Sequence, residues 1–177
     1  TRYILVNSSV TTIVDADALN IIAEDKELKN LLACRNTEEA DFILTPHIGE
    51  MARLSGISVA SIQGRLIQTA VSFASRYKVI CVLKDARTIV ADSKKTVYIN
   101  TSGNSGMATG GSGDVLTGVI AGMSVSGLNA YEAACMGVFL HGLGGDYAAS
   151  RRGEHGMKAG DIIDGITNLM AAAQNRK

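Results

Sequence analysis

The sequence has no tryptophan, a single proline and three cysteines, and its seventeen Lys and Arg residues are matched by seventeen Asp and Glu. Aromatic residues make up 5% of the 177, too few for a stacking platform that holds single-stranded nucleic acid. A formal net charge of zero provides no field toward nucleic acid or an acidic membrane, so neither is an expected partner. Cys34, Cys81 and Cys135 are scattered and form no C-x-x-C pair. They read as reduced thiols of a cytoplasmic protein, not as a disulfide framework or a zinc site. The longest uncharged run, between Asp114 and Glu132, is broken by Gly118, Gly122, Ser124, Ser126, Gly127 and Asn129, a poor membrane span. Thr1–Asn7 has no apolar stretch of signal-peptide length, and the first residue is not Met, which fits a processed product or a fragment.

Apolar residues are abundant, at 46%. Residues 1–177 read as a single domain, and a chain of this size should bury about 70% of its unfolded surface. Glycine is the most informative residue: only Gly49, Gly56 and Gly64 of the nineteen precede residue 100. The other sixteen fall between Gly103 and Gly165, which predicts tight turns or backbone that must approach a ligand.

Short β-rich runs alternate with helical patterns. Strands are expected at Thr11–Asp15, Asp41–Thr45 and Val79–Leu83, with a hairpin of Thr88–Ala91 and Thr96–Ile99. Helices are expected at Ala18–Leu32 with a break near Glu24-Asp25, at Ser58–Tyr77, and at Asp114–Met123, Ala130–Ser150 and Ala159–Gln174. This alternation predicts an α/β layer sandwich with a mainly parallel sheet, whose ligands bind beyond the carboxyl ends of the strands. Asp15, Thr45-Pro46-His47, Lys84-Asp85 and Asn100 lie at those ends.

The loop Asn100–Asp114 is rich in glycine and opens a helix. Such a turn offers unpaired backbone N–H groups and the positive end of a helix dipole to an anion. Two familiar phosphate motifs are excluded. Ser112 replaces the Walker lysine after Gly106-x-x-x-x-Gly111, and Leu116 stands where the dinucleotide fingerprint needs its third glycine. Asp114 likewise rules out a G-x-S-x-G elbow. What remains is Gly110-Gly111-Ser112-Gly113-Asp114, with Asp114 either a helix cap or a base that deprotonates a substrate hydroxyl. Three glycines ahead of it favour the base, because a cap needs none.

These segments resemble a known family. Asp15-Ala16-Asp17-Ala18-Leu19-Asn20, Thr45-Pro46-His47-Ile48-Gly49-Glu50, Val82-Leu83-Lys84, Asn100–Gly122 and Gly137–Gly142 match, in order, the motifs of the ADP/ATP-dependent NAD(P)H-hydrate dehydratases. The resemblance covers some nine-tenths of the chain and implies a ribokinase-like three-layer sandwich whose N-terminal part is missing here. It implies dehydration of the S epimer of hydrated NADH or NADPH with ADP or ATP as co-substrate and Mg2+ present. The ring hydroxyl would be phosphorylated, and phosphate then eliminated.

By the same resemblance, Asp114 is the catalytic base and a substrate contact, Gly111, Ser112 and Gly113 form the anion hole, and His47 binds the hydrate. Lys84, Asp85, Ala86, Arg87 and Thr88 contact the nucleotide together with Gly113, and Glu50 lies near magnesium-bound water. Asp85 stands where the family usually has glycine, and its charge adds repulsion toward phosphates. Asp15 and Asp17 read as further strand-end carboxylates, Asp17 equally as a cap of the following helix, His141 reads as a packed helix residue, and His155 as exposed loop.

Only about fourteen residues precede the first motif, so an uncovered sheet edge and a homo-oligomer are expected. Two other readings use the same residues: a ribokinase-like kinase of a vitamin precursor or sugar, and a non-catalytic nucleotide-binding module. The T-P-H-x-G-E segment favours the dehydratase over the kinase. Asp85 and the short N-terminus prompt the module.

Overall fold

A computed structural model describes residues 1–36 and 40–175. The β-rich runs become β1 (Thr12–Val14), β2 (Phe42–Leu44), β3 (Ile80–Leu83), β4 (Ile89–Ala91) and β5 (Val97–Ile99), side by side in chain order. Strands β1, β2 and β3 are parallel, and β4 is antiparallel to both its neighbours, so four of the five strands share one direction.

Alternation along each strand divides the side chains between two faces. Val14, Phe42, Leu44, Cys81, Leu83, Ile89 and Ala91 enter one core, and Ile43, Ile80, Val82 and Val90 the other. The first face is covered by α1 (Arg2–Asn7), α2 (Asp17–Glu24), α3 (Lys26–Cys34), α4 (Ile48–Ser55), α5 (Val59–Gln63) and α6 (Leu66–Tyr77). The second is covered by α7 (Ser112–Ser124) and α8 (Ala130–Arg152), with α9 (Ala159–Gln174) packed on α8. The result is an α/β three-layer sandwich with a mostly parallel sheet.

The helix boundaries follow local chemistry. Asp25 ends α2 in extended backbone and caps α3, its carboxylate accepting from the amides of Glu27 and Leu28. Asn129 and Glu132 form a reciprocal capping box at the start of α8.

Two expectations need correction. Ser58–Tyr77 is two helices, because Arg65 leaves helical geometry (φ −147°, ψ 43°) directly after Gly64, a poor helix former. The break still leaves Ile62 and Phe73 both buried in the first core. The clustered glycines are the second. Many of them serve helix contacts, not turns or ligands. A methyl group on Gly137 would stand 2.6 Å from Ile120, and one on Gly165 would stand 2.2 Å from the Gly144 carbonyl oxygen. On Gly142 and Gly145 it would meet Ser102 and Met107 at 2.1 and 2.2 Å. Side-chain-free stretches of α8 therefore let α7, α9 and the glycine-rich loop seat directly on its backbone.

Candidate active site

The carboxyl ends of β1, β2 and β3 converge on the N-terminus of α7. Asp15 follows β1 through an Asp15–Ala18 turn, closed by the Ala18 amide donating to the Asp15 carbonyl at 3.2 Å. Ala16 takes φ 51° and ψ −123° there, a region L-residues avoid, so the turn is strained.

That turn directs the Asp15 carboxylate at two donors. Lys84 Nζ, just after β3, lies 2.9 Å from Oδ1, and Thr117 Oγ1, in the second turn of α7, donates to Oδ2 at 2.8 Å. Burial alone would raise the Asp15 pKa, but the Lys84 hydrogen bond and charge, with Thr117 and Thr45, outweigh it and leave it lowered. Lys84 is thus held by the Asp15 carboxylate. It stands beneath the glycine turn: a methyl group on Gly113 would be 3.6 Å from its ammonium nitrogen.

The glycine turn is itself anchored. Gly103 and Asn104 donate to the two carboxylate oxygens of Asp146, and Ser102 Oγ donates to the Phe139 carbonyl. Gly111 caps α7 at φ 87°, a left-handed position that suits glycine. The Ser112 amide donates to the Thr109 carbonyl at 3.2 Å, so that donor of the expected anion hole is engaged internally. The amides of Gly111, Gly113 and Asp114 have no partner among the described residues. A methyl group on Gly110 would meet nothing within 4 Å, and packing gives no reason for a glycine there. These are open donors at the positive end of a helix.

Asp114 occupies the first turn of α7, exposed and without a capping bond or ion pair among the described residues. The cap alternative raised by its position is therefore not what forms. His141, read as a packed residue of α8, is buried but not merely packed: its Nε2 lies 3.0 Å from the Ser112 carbonyl oxygen.

His47 lies at the end of β2 and caps α4. Its Nδ1 accepts from the amides of Gly49 and Glu50, while Glu50 Oε2 accepts from the His47 amide at 2.8 Å. Its ring is about half exposed, so capping leaves an edge open to solvent. Glu50 is buried with both oxygens facing His47, at 2.8 Å to the amide and 3.4 Å to Nε2. Among the described residues no three His, Cys, Asp or Glu side chains are grouped to hold a metal ion.

Asp85, Ala86 and Arg87 form an exposed bend after Lys84. The Asp85 φ is not positive, so the side chain costs no backbone strain there. Arg87 donates to the Thr101 carbonyl, and Thr88 Oγ1 to the Asp85 carbonyl.

Sequence reading missed Thr117, Asp146 and the hydrogen-bonding part of His141. A signal existed for one of them. Thr117 lies four residues beyond Gly113, one helical turn along the same face.

A family model described as NAD(P)H-hydrate dehydratase matches residues 2–168. The chain belongs to the NAD(P)H-hydrate dehydratase family. It is 45% identical over 163 residues to the bifunctional NAD(P)H-hydrate repair enzyme of Moorella thermoacetica, covering 92% of this chain and 30% of that protein. It is 41% identical over 152 residues to the ADP-dependent (S)-NAD(P)H-hydrate dehydratase of Neisseria meningitidis, covering 85% of this chain and half of the relative. Its fold matches the ADP/ATP-dependent NAD(P)H-hydrate dehydratase of Bacillus subtilis, co-crystallized with ATP/Mg2+ and soaked with CoA, at a TM-score of 0.83 and 28% identity, over 97% of this chain and 59% of that one. The chain therefore spans between about a third and three-fifths of the length of these relatives. Among the described residues no helix is long and apolar enough to cross a membrane.

Proposed function

We propose that the chain carries the nucleotide-phosphate and base half of a nucleotide-dependent dehydratase that restores NADH or NADPH from the S-hydrated forms. The observation that supports this most is the joining of three amides without a partner among the described residues, at Gly111, Gly113 and Asp114, with the Lys84 ammonium beside Gly113. A cradle of that kind suits the terminal phosphoryl group of ADP or ATP, with the amides and Lys84 taking up charge as it transfers.

In this reading Asp114 removes the proton from the ring hydroxyl of the hydrate, and the alkoxide oxygen attacks the terminal phosphorus. The bond to the nucleotide's bridging oxygen breaks, so AMP leaves from ADP, or ADP from ATP. Phosphate then departs from the ring carbon with its electron pair while the neighbouring carbon loses a proton, and the carbon–carbon double bond of the reduced nicotinamide reforms. His47 offers its open ring edge to the hydrate, and the Asp85–Thr88 bend meets the nucleotide beside Lys84. Magnesium would enter with the nucleotide phosphates.

Hydrated NADH is incubated with the chain and ADP, then ATP, while the absorbance of the reduced nicotinamide is followed. Recovery together with free phosphate is expected. A stable phosphorylated product would instead indicate a kinase, and ADP binding without recovery a non-catalytic nucleotide module.

A further inference from the structure

We infer that His141 is a positioning residue that sets the Gly113 amide for phosphate through a single peptide plane. The inference rests on the proposed anion site and names the side chain that aims it.

A carbonyl oxygen only accepts hydrogen bonds, so the 3.0 Å contact between His141 Nε2 and the Ser112 oxygen requires the proton on Nε2. The same nitrogen lies 3.4 Å from Ser112 Oγ. Burial depresses the His141 pKa. The Ser112 bond works against this and the nearby Lys84 charge adds to it, and the value falls to about 4, so the ring is neutral at neutral pH. A neutral Nε2–H donor is what the geometry needs.

The Ser112 carbonyl and the Gly113 N–H belong to one planar trans unit, in which the two bonds point in opposite directions. Fixing the oxygen against His141 therefore fixes the Gly113 N–H, which has no partner among the described residues. Donation into the carbonyl also polarises the unit and strengthens its N–H as a donor. Gly142, next to His141, lets the loop approach: a methyl group there would stand 2.1 Å from Ser102 Oγ. An apolar residue at 141 would fill the same space without holding the peptide.

Imidazole nitrogen spectra of the 15N-labelled chain at pH 7 should show Nε2 protonated and Nδ1 bare, whereas the opposite tautomer overturns the inference. Adding ADP, or inorganic phosphate, should move the Gly113 amide proton downfield. In His141→Leu that shift should be lost. In His141→Gln, whose side-chain amide can reach the place of Nε2, it should persist.

Turnover should fall about 10-fold or more in His141→Leu, below the 10²–10³-fold of deleting such a donor outright, with the KM for ADP changed less than about threefold. His141→Gln should recover most of it. A folded His141→Leu that retains the ADP-induced shift and wild-type turnover overturns the positioning role. If His141→Leu does not fold, His141→Gln decides: retention of the shift supports the role, and its loss in a folded protein overturns it. A wild-type chain that shows the ADP shift but restores no reduced nicotinamide defeats the dehydratase reading and leaves this inference standing.

Discussion

Lys84 and Asp15 stand after strands β3 and β1, with β2 between them, and meet 2.9 Å apart under the first turn of α7. Thr117 closes the arrangement from above by donating to the second carboxylate oxygen. Sheet and helix are thus joined at the point where the open amides begin.

Replacing Asp15 by Asn should lower stability by about 1–3 kcal/mol, because the half-buried Lys84 ammonium loses its counter-charge. The Asp15 pKa is lower folded than unfolded, so its stabilising effect is present above the ordinary value of 3.8 and is lost as pH falls through the folded-state value. Urea unfolding midpoints of wild type and variant should therefore differ at pH 7 and draw together in strong acid. Equal midpoints at pH 7 would contradict the assignment.

Gly113→Ala separates binding from folding. The new methyl group would sit 3.6 Å from Lys84 Nζ, an ordinary contact, and alanine is the better helix residue by roughly 0.5–1 kcal/mol. The variant should be as stable as wild type or more so, yet bind ADP at least about 10-fold more weakly, because the methyl group occupies the approach to the amides. Calorimetric titration alongside thermal unfolding measures both. Unweakened binding would remove Gly113 from the anion site.

Asp114→Asn should leave ADP affinity within about twofold and reduce turnover by about 10²–10⁴-fold, the usual contribution of a positioned base. The side chain is exposed and bonded to nothing among the described residues, so little stability is at stake. Stopped-time assays of recovered NADH, with denaturation controls, test this. Wild-type turnover would exclude the base.

Acid should weaken the fold through His141. Its folded pKa of about 4 lies below the ordinary 6.5, so the unfolded chain binds the extra proton first, and stability falls as pH drops from 6.5 toward 4. The loss is on the order of 3 kcal/mol over that window. The slope should vanish in His141→Gln, which has nothing to titrate.

Much of the architecture was legible because it rests on local rules. The expected bounds of Ala159–Gln174 match α9, the break at Glu24-Asp25 matches the Asp25 cap, and the hairpin closes where Asp92–Lys95 predicted. The Gly64 break was not legible, since apolar spacing continued across it. The motifs of the family were readable from single segments. The hydrogen bond of His141 was not, because a histidine within a helix looks alike whether it faces solvent, core or a neighbouring loop.

The sequence by itself determined the alternation of strand and helix, the family, and a bare-backbone turn ahead of Asp114, since each depends on residues close along the chain. Only the tertiary structure decided that Lys84 is held by Asp15, that Ser112 gives up its own amide, and that His141 grips the neighbouring carbonyl. Those partners are separated by 69, 3 and 29 positions. Even the short one depends on how the loop seats on α8, where Gly142 and Gly145 make room for it.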